Sequence, residues 1–210
     1  MPVDHIKADP TRLSTASTPT ASTPLEPGAV ETIRLRRATR ADAPALALVG
    51  AATFLEAFTW MLPGADIVAH CAKHHTAVAY ETYMTKPETR ITLATSGDDA
   101  PVGYVMLAKP ELPEFDLLPG DIELKRIYLF SRFRAAPVEG RAQVRPAAAM
   151  LEAAIEDAVA LGRTRLLLGT HANNLRAISF YRRNGFAEAG TRTFQVGSRI
   201  CHDLIFARPL

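Results

Sequence analysis

Two stretches of this 210-residue chain hold residues whose types and spacing can do chemistry. The first runs from Asp121 to Phe186. It opens on a strand-like run, Ile122-Glu-Leu-Lys-Arg-Ile-Tyr-Leu-Phe130. A loop rich in Arg, Ala and Pro follows from Ser131 to Arg145, then a helical run from Pro146 to Leu161 and a second strand, Arg165-Leu-Leu-Leu168. Strand, loop, helix, strand in this order is a βαβ unit, with parallel strands and a right-handed crossover. A helix N-terminus just past a strand end is a place where phosphate groups bind. The second stretch is the cluster His70, Cys71, His74 and His75. His70 and His74 lie one helical turn apart, a spacing that can ligate zinc. The intervening Cys-Ala-Lys lacks the Glu of a zinc protease, and no third ligand is near, so solvated or half-buried histidines are expected and no metal.

The elements that must position these residues follow from pattern. Ile33-Arg-Leu-Arg-Arg alternates as a half-buried strand does. Thr39-Arg-Ala-Asp42 has capping-box form. The helix after it carries Leu46, Val49, Gly50, Thr53, Phe54, Ala57 and Phe58 on one side and stops at Pro63-Gly64. A second helical stretch is expected from Asp66 to about Met84. Thr89 to Thr95 and Val102 to Leu107 read as a hairpin around Ser96-Gly-Asp-Asp-Ala-Pro101. Pro110 to Gly120 is a loop. Ala187 to Val196 and Ser198 to Ala207 read as strands joined near Gly197. The expected fold is α/β, with a central mixed sheet of six or seven strands and helices on both faces.

Composition bounds the function. The net charge of +2 is too small to argue for nucleic acid. The two cysteines, Cys71 and Cys201, form no metal or redox spacing and read as buried thiols in a reducing compartment. No apolar run approaches the roughly 18 residues of a membrane span, and Met1-Pro-Val-Asp-His-Ile-Lys7 has no signal-peptide core. A cytoplasmic protein, acting on neither nucleic acid nor membrane, is expected. Residues 1–31, dominated by Ser, Thr, Pro and Ala, bury too little apolar surface to offset ordering and read as a disordered leader. Residues 32–210 read as one domain.

Several segments resemble the GNAT superfamily of N-acetyltransferases. They are Glu123-Leu-x-Arg-Ile-Tyr-Leu129, the small-residue helix start, and Asn174-x-x-Ala-x-x-Phe-Tyr-x-x-x-Gly-Phe186. Thr32 to Asp42 is similar to that family's first strand and helix start. Thr53-Phe-Leu-Glu-Ala-Phe58, with Phe194-Gln-Val-Gly197 to Asp203-Leu-Ile205, resembles the bacterial polyamine acetyltransferase branch. The resemblance implies a mostly antiparallel sheet with one splayed parallel strand pair at the cofactor site, acetyl-CoA as donor, and direct transfer to a primary amine. The amine would be small, a polyamine, or that of a peptide. Whether the protein forms a homodimer stays open.

The resemblance also implies roles. Glu123 stands where the family often carries a strand glutamate acting as base, directly or through water. A carboxylate beside a partly buried sheet can have the raised pKa that suits this. The alternative is a strand-end acid paired with Lys125 or Arg126. Tyr181 stands where the family's tyrosine protonates the leaving thiolate, and otherwise reads as a core tyrosine beside Ala177, Ile178 and Phe180. Asn174 is an N-cap and a contact to the pantetheine arm, whose amides pair with main chain near Ile127, Tyr128 and Leu129. The acceptor pocket is expected between the first two helices and the turn near Gly197. Glu56, Phe58, Trp60 and Tyr83 are its candidate walls, each equally readable as core.

The phosphate loop departs from the pattern. Gln143, Arg145 and Ala147 stand where glycines are expected, and only Ala147 is a tolerated replacement. Arg134 matches the leading Arg or Gln, which requires an insertion of about eight residues, near Ala135 to Ala142, longer than a usual βα loop. In one reading Arg141 and Arg145 replace missing N–H groups with charge and the cofactor still binds. The rival reading is a non-catalytic CoA-binding or partner-binding module on the same fold.

Overall fold

The computed structural model describes residues 31–112, 115–141, 143–196 and 199–210. The expected leader thus falls, but for Glu31, outside the described residues. Glu31 itself is ion-paired to Arg132 at 2.6 Å.

The element order is β1 (Ile33–Arg37), α1 (Ala43–Phe58), α2 (Gly64–His74), α3 (Ala77–Met84), β2 (Arg90–Ser96), β3 (Ala100–Ala108), β4 (Asp121–Leu129), α4 (Pro146–Ala160), β5 (Arg165–His171), α5 (Leu175–Arg183), β6 (Ala187–Val196) and β7 (Arg199–Pro209). The strands form one seven-stranded sheet in the order β1-β2-β3-β4-β5-β7-β6. Every neighbouring pair is antiparallel except β4–β5, which is parallel. The α/β fold with helices on both faces matches the sequence expectation.

The two faces are packed by different helices. Ile122, Leu124, Leu166, Leu168 and Phe206 meet Met150, Leu151 and Ala154 of α4 and Ile178 and Tyr181 of α5. On the other face Leu46 and Val49 of α1 and Tyr80 of α3 pack on Leu93, Tyr104 and Met106. α2 joins this second face through Ile67, which clusters with Phe54, Leu62 and Cys201.

Two expectations need correction. The helical stretch read from Asp66 to Met84 is two helices, because the Thr76 hydroxyl accepts the Ala79 N–H at 3.1 Å and starts α3 afresh. Arg40–Phe58 is apolar and long enough, by composition, to cross a membrane, although no such run was expected. Here Arg40, Asp42 and Glu56 punctuate it, and its Ala43, Leu46, Val49, Thr53 and Phe54 are buried in the fold.

One irregularity decides which residues of β4 face which way. Met106 pairs with Arg126 and Leu107 with Leu124, so Lys125 is an extra residue, a β-bulge. Side chains alternate along a strand, and a bulge resets the alternation. Ile122, Leu124, Ile127 and Leu129 therefore point toward α4 and α5. Glu123, Arg126 and Tyr128 point to the face of α1 to α3.

Candidate active site

β4 and β5 pair at Asp121–Arg165, Ile122–Leu166 and Glu123–Leu167, and no further. Beyond that point β4 stays with β3 as far as Leu129–Gly103, while β5 runs on with β7 from Leu168–Phe206 to His171–Asp203. A wedge opens between them. The Phe130 N–H donates to the Val102 carbonyl at 3.0 Å, on the β3 side. Successive residues turn their backbone groups to opposite sides. The N–H and C=O of Leu129 and Ile127 therefore face the wedge on an unpaired edge, which an extended ligand can pair.

α5 brings Tyr181 to this region. The Asn174 side-chain oxygen accepts the Ala177 N–H at 3.2 Å and fixes the helix start, as a cap should. The Tyr181 ring is 8% exposed and packs against Phe180, Phe186 and Phe206. No described residue hydrogen-bonds its hydroxyl, and that oxygen is not among the enclosed polar atoms that lack partners. The phenol is thus buried by its ring, and its hydroxyl has no partner among the described residues. Burial, then the nearby Tyr128, pushes its pKa above the ordinary tyrosine value. Tyr128 is itself pushed up to about 12 by burial.

Glu123 occupies the last paired position, at the apex of the wedge, and is 3% exposed. Its Oε2 accepts the Glu111 N–H at 2.9 Å and lies 3.4 Å from the Lys125 ammonium. Its Oε1 bonds no described residue and is not enclosed. The carboxylate is thus held at one oxygen and open at the other.

The loop from β4 to α4 begins with a 3₁₀ turn, Ser131–Phe133. Glu56 does not wall a cavity; its carboxylate accepts the Ser131 N–H at 3.1 Å and hydroxyl at 2.8 Å and anchors this turn. The expected insertion is docked rather than loose. Ile33 N–H donates to Pro137 and Glu139 N–H to Ile33, both at 2.8 Å, which buries Val138 against β1. Arg141 is committed to α4, 2.9 Å from Glu152 and 3.7 Å from Glu156. Arg145 is exposed and donates to the Ala135 carbonyl at 3.3 Å. Ala147 lies in the first turn of α4 behind Pro146, and Ala148 and Ala149 bond back to Arg145. Arg134 is half-buried, and its pKa is held down first by burial and then by Arg176 at the start of α5. Arg176 itself is exposed.

On the opposite face a cavity of about 260 Å³ lies between the α1–α2 connection and the ends of β5 and β7, lined by Trp60, Met61, Leu62, His171, Asn173, Ile200 and Cys201. Of the four expected walls only Trp60 lines it, edge-on to His171 with 6.0 Å between ring centres. Phe58 packs on Phe54 and Tyr128. Tyr83 lies under Lys86 and Arg126. The turn at 197–198 is outside the described residues.

Sequence reasoning missed Asp203, His171 and Arg192 on this face. Asp203 is 4% exposed, and burial, opposed by Arg192, raises its pKa. Arg192 donates Nε and Nη2 to Asp203 Oδ2 at 3.2 and 3.1 Å. The Arg192 guanidinium lies flat on β5 because Gly169 has no side chain: a Cβ there would stand 2.7 Å from Nη2. A lone acid in the apolar alternation Cys201, Asp203, Ile205 was the available signal. The histidines pack rather than converge: His70 stacks on Phe54 at 4.2 Å and lies tilted against His74, with 4.6 Å between ring centres. Among the described residues no group of three His, Cys, Asp or Glu side chains is placed to hold a metal ion.

A parallel strand pair that parts after three positions, with a helix start beyond it and a tyrosine from the next helix, is the arrangement that the GNAT resemblance implies. Comparison with known proteins agrees. A model of the acetyltransferase (GNAT) family matches residues 146–186. Uncharacterized N-acetyltransferases of Mycobacterium bovis and Mycobacterium tuberculosis are each 30% identical over 169 residues, 80% of this chain and 98% of theirs. This chain belongs to the GNAT acetyltransferase family. Among solved structures, the PaiA N-acetyltransferase of Thermoplasma acidophilum in complex with coenzyme A aligns with a TM-score of 0.65 at 17% identity, over 85% of this chain and 99% of that one. A ribosomal-protein-alanine N-acetyltransferase from Brucella melitensis aligns at 0.58 and 24% identity, over 84% of this chain and 99% of that one. Both share the fold.

Proposed function

We propose that residues 32–210 form an N-acetyltransferase that takes its acetyl group from acetyl-CoA and delivers it directly to a primary amine, that of a small molecule, a polyamine or a peptide. The observation that carries this reading is the wedge, where Ile127 and Leu129 present unpaired N–H and C=O groups, with the Tyr181 hydroxyl free of partners among the described residues. Those groups fit the pantetheine arm, which has alternating amides of its own. Arg134 and Arg176, with the start of α4, fit its phosphates. This loop lacks glycine at 143, 145 and 147, so charge does more there than backbone.

When bound, acetyl-CoA supplies the thioester that the amine attacks. The chain's residues do the rest. A backbone N–H on the open edge of β4 is placed to stabilise the developing oxyanion, an effect worth about 2.7–4 kcal/mol where such donors have been removed. Glu123 takes the proton of the amine at Oε1, directly or through water, because an amine of pKa near 10.4 is about one part in a thousand neutral at pH 7. Tyr181 gives its phenolic proton to the departing sulfur. The acceptor enters from the Trp60–His171 cavity, on the face that Glu123 and Tyr128 share.

The test is release of CoA thiol across a panel of amines by the wild type and by Glu123→Gln. Loss of most turnover in the variant with unchanged CoA affinity is expected. Equal turnover would remove Glu123 from the role, and no release with any amine would remove the reaction.

A further inference from the structure

β4 carries a charge that no carboxylate among the described residues pairs with. After the bulge at Lys125, Arg126 turns to the face of Glu123 and Tyr128, three residues past the apex of the wedge. Its guanidinium lies over the rings of Tyr80 and Tyr83, 5.5 Å from each centre. Its Nη1 is enclosed with no hydrogen-bond partner, and the half-buried side chain also reaches the Tyr80 hydroxyl, whose pKa it helps to hold down against burial. Glu111, the acid in its surroundings, is already bonded to Lys125 at 2.7 Å.

The other neighbours are neutral or cationic. His75 shares a 2.9 Å hydrogen bond with the Tyr80 hydroxyl, which donates to the Tyr104 hydroxyl at 2.8 Å. Burial, then the charge of Arg126, holds His75 near 3, so that ring is uncharged. Burial, followed by Arg126, Lys73 and Lys125, also lowers the pKa of His74. Arginine does not shed its proton in a protein. Its charge, largely removed from water and unpaired, is costly. The two flanking rings hold the guanidinium in place, and its planar array of donors matches a carboxylate.

We infer that Arg126 binds a carboxylate of the acceptor, so that the amines this enzyme acetylates are amino acids or other compounds carrying a carboxylate within a few bonds of the amine. This rests on the acetyl-transfer reading of the same site and narrows its acceptor class. The wedge apex where the amine must lie and the Arg126 fork share one face of one strand. Lys125 is ion-paired to Glu111 and Glu123, but a polyamine would still meet Arg126 with like charge, and it is the poorer fit.

Acceptors that differ only in the carboxylate decide the matter. An α-amino acid panel, the matching amino-acid amides and spermidine are compared by CoA thiol release with wild type, Arg126→Lys and Arg126→Gln. The wild type is expected to favour an acid over its amide by roughly 10–100-fold in kcat/KM, the size of one charged bidentate contact. The preference resides in KM, falls in Arg126→Lys, which keeps charge without the fork, and disappears in Arg126→Gln. An amide or spermidine used as well as every acid by the wild type would overturn the inference. So would a preference that survives in folded Arg126→Gln. Should that variant not fold, the wild-type acid-to-amide ratio decides alone. Melting temperatures with the same amino acids separate this idea from the reaction itself. Stabilisation by an acid and not by its amide, without thiol release, would support the anion site while unseating acetyl transfer. Neither stabilisation nor release would overturn both.

Discussion

Replacing Tyr181 with phenylalanine separates chemistry from packing at one atom. The ring is 8% exposed and rests on Phe180, Phe186 and Phe206, contacts that phenylalanine keeps. The hydroxyl bonds no described residue, so its removal breaks no hydrogen bond and strands no partner. Stability should therefore stay within about 0.5 kcal/mol of wild type, a shift in Tm of no more than about 2 °C for a chain of this size. The catalytic loss should be far larger. The thiol of CoA, with a pKa near 8.5, leaves poorly as an unprotonated thiolate into a largely apolar site. A positioned acid is worth roughly 10²–10⁴-fold. The expected outcome is a fall of at least about 100-fold in kcat, with CoA affinity unchanged by calorimetry. A kcat within threefold of wild type, at unchanged Tm, would show that the phenol only fills the core. A fall in kcat matched by a large fall in Tm would equally refute the separation.

Other predictions concern the support of the site. Gly169→Ala places a Cβ 2.7 Å from Arg192 Nη2 and 2.9 Å from its Cζ, so the guanidinium must lift from β5 and its hold on Asp203 must loosen. Because the displaced atoms end a flexible side chain, a loss of no more than about 1 kcal/mol in urea melts is expected, and a loss of several kcal/mol would contradict it. Asn174→Ala removes the cap of α5 and should cost about 1 kcal/mol, lowering kcat as well because α5 carries Tyr181. A pH titration of stability tests the β1 network. The Arg36 hydrogen bond holds the Asp42 carboxyl down at about 2, below its ordinary 3.8. A depressed folded pKa stabilises above the unfolded value, so a contribution of about 2 kcal/mol is complete above pH 4 and fades as pH falls toward 2. Arg36→Met should abolish that part of the acid limb, and an identical pH profile would count against it.

Much of the fold was legible because it is local. The strand β4, the small-residue start of α4, β5 and the Asn174 cap each carry their own pattern within a few residues. The wedge is different: it depends on β5 leaving β4 for β7, a pairing of residues about 40 apart that no local pattern encodes. Only the family resemblance pointed to it. Other features rest on contacts far apart in the chain. The Glu56 carboxylate is held by Ser131, 75 residues away. The lengthened loop docks Val138 beside Ile33. Simple alternation from Glu123 would put Arg126 on the other face, and the bulge at Lys125 brings it back to the face of Glu123. The break between α2 and α3 was a local signal overlooked, since Thr76 is an ordinary N-cap residue lying inside an otherwise helical run.

Amide hydrogen exchange across Leu124 to Leu129, with and without acetyl-CoA, tests most directly whether a thioester cofactor lies in the wedge. Saturating acetyl-CoA should slow the exchange of Ile127 and Leu129, whose N–H groups face the open edge, and leave Tyr128, already bonded toward β3, unchanged. Exchange at Ile127 and Leu129 that stays the same at millimolar acetyl-CoA would contradict it.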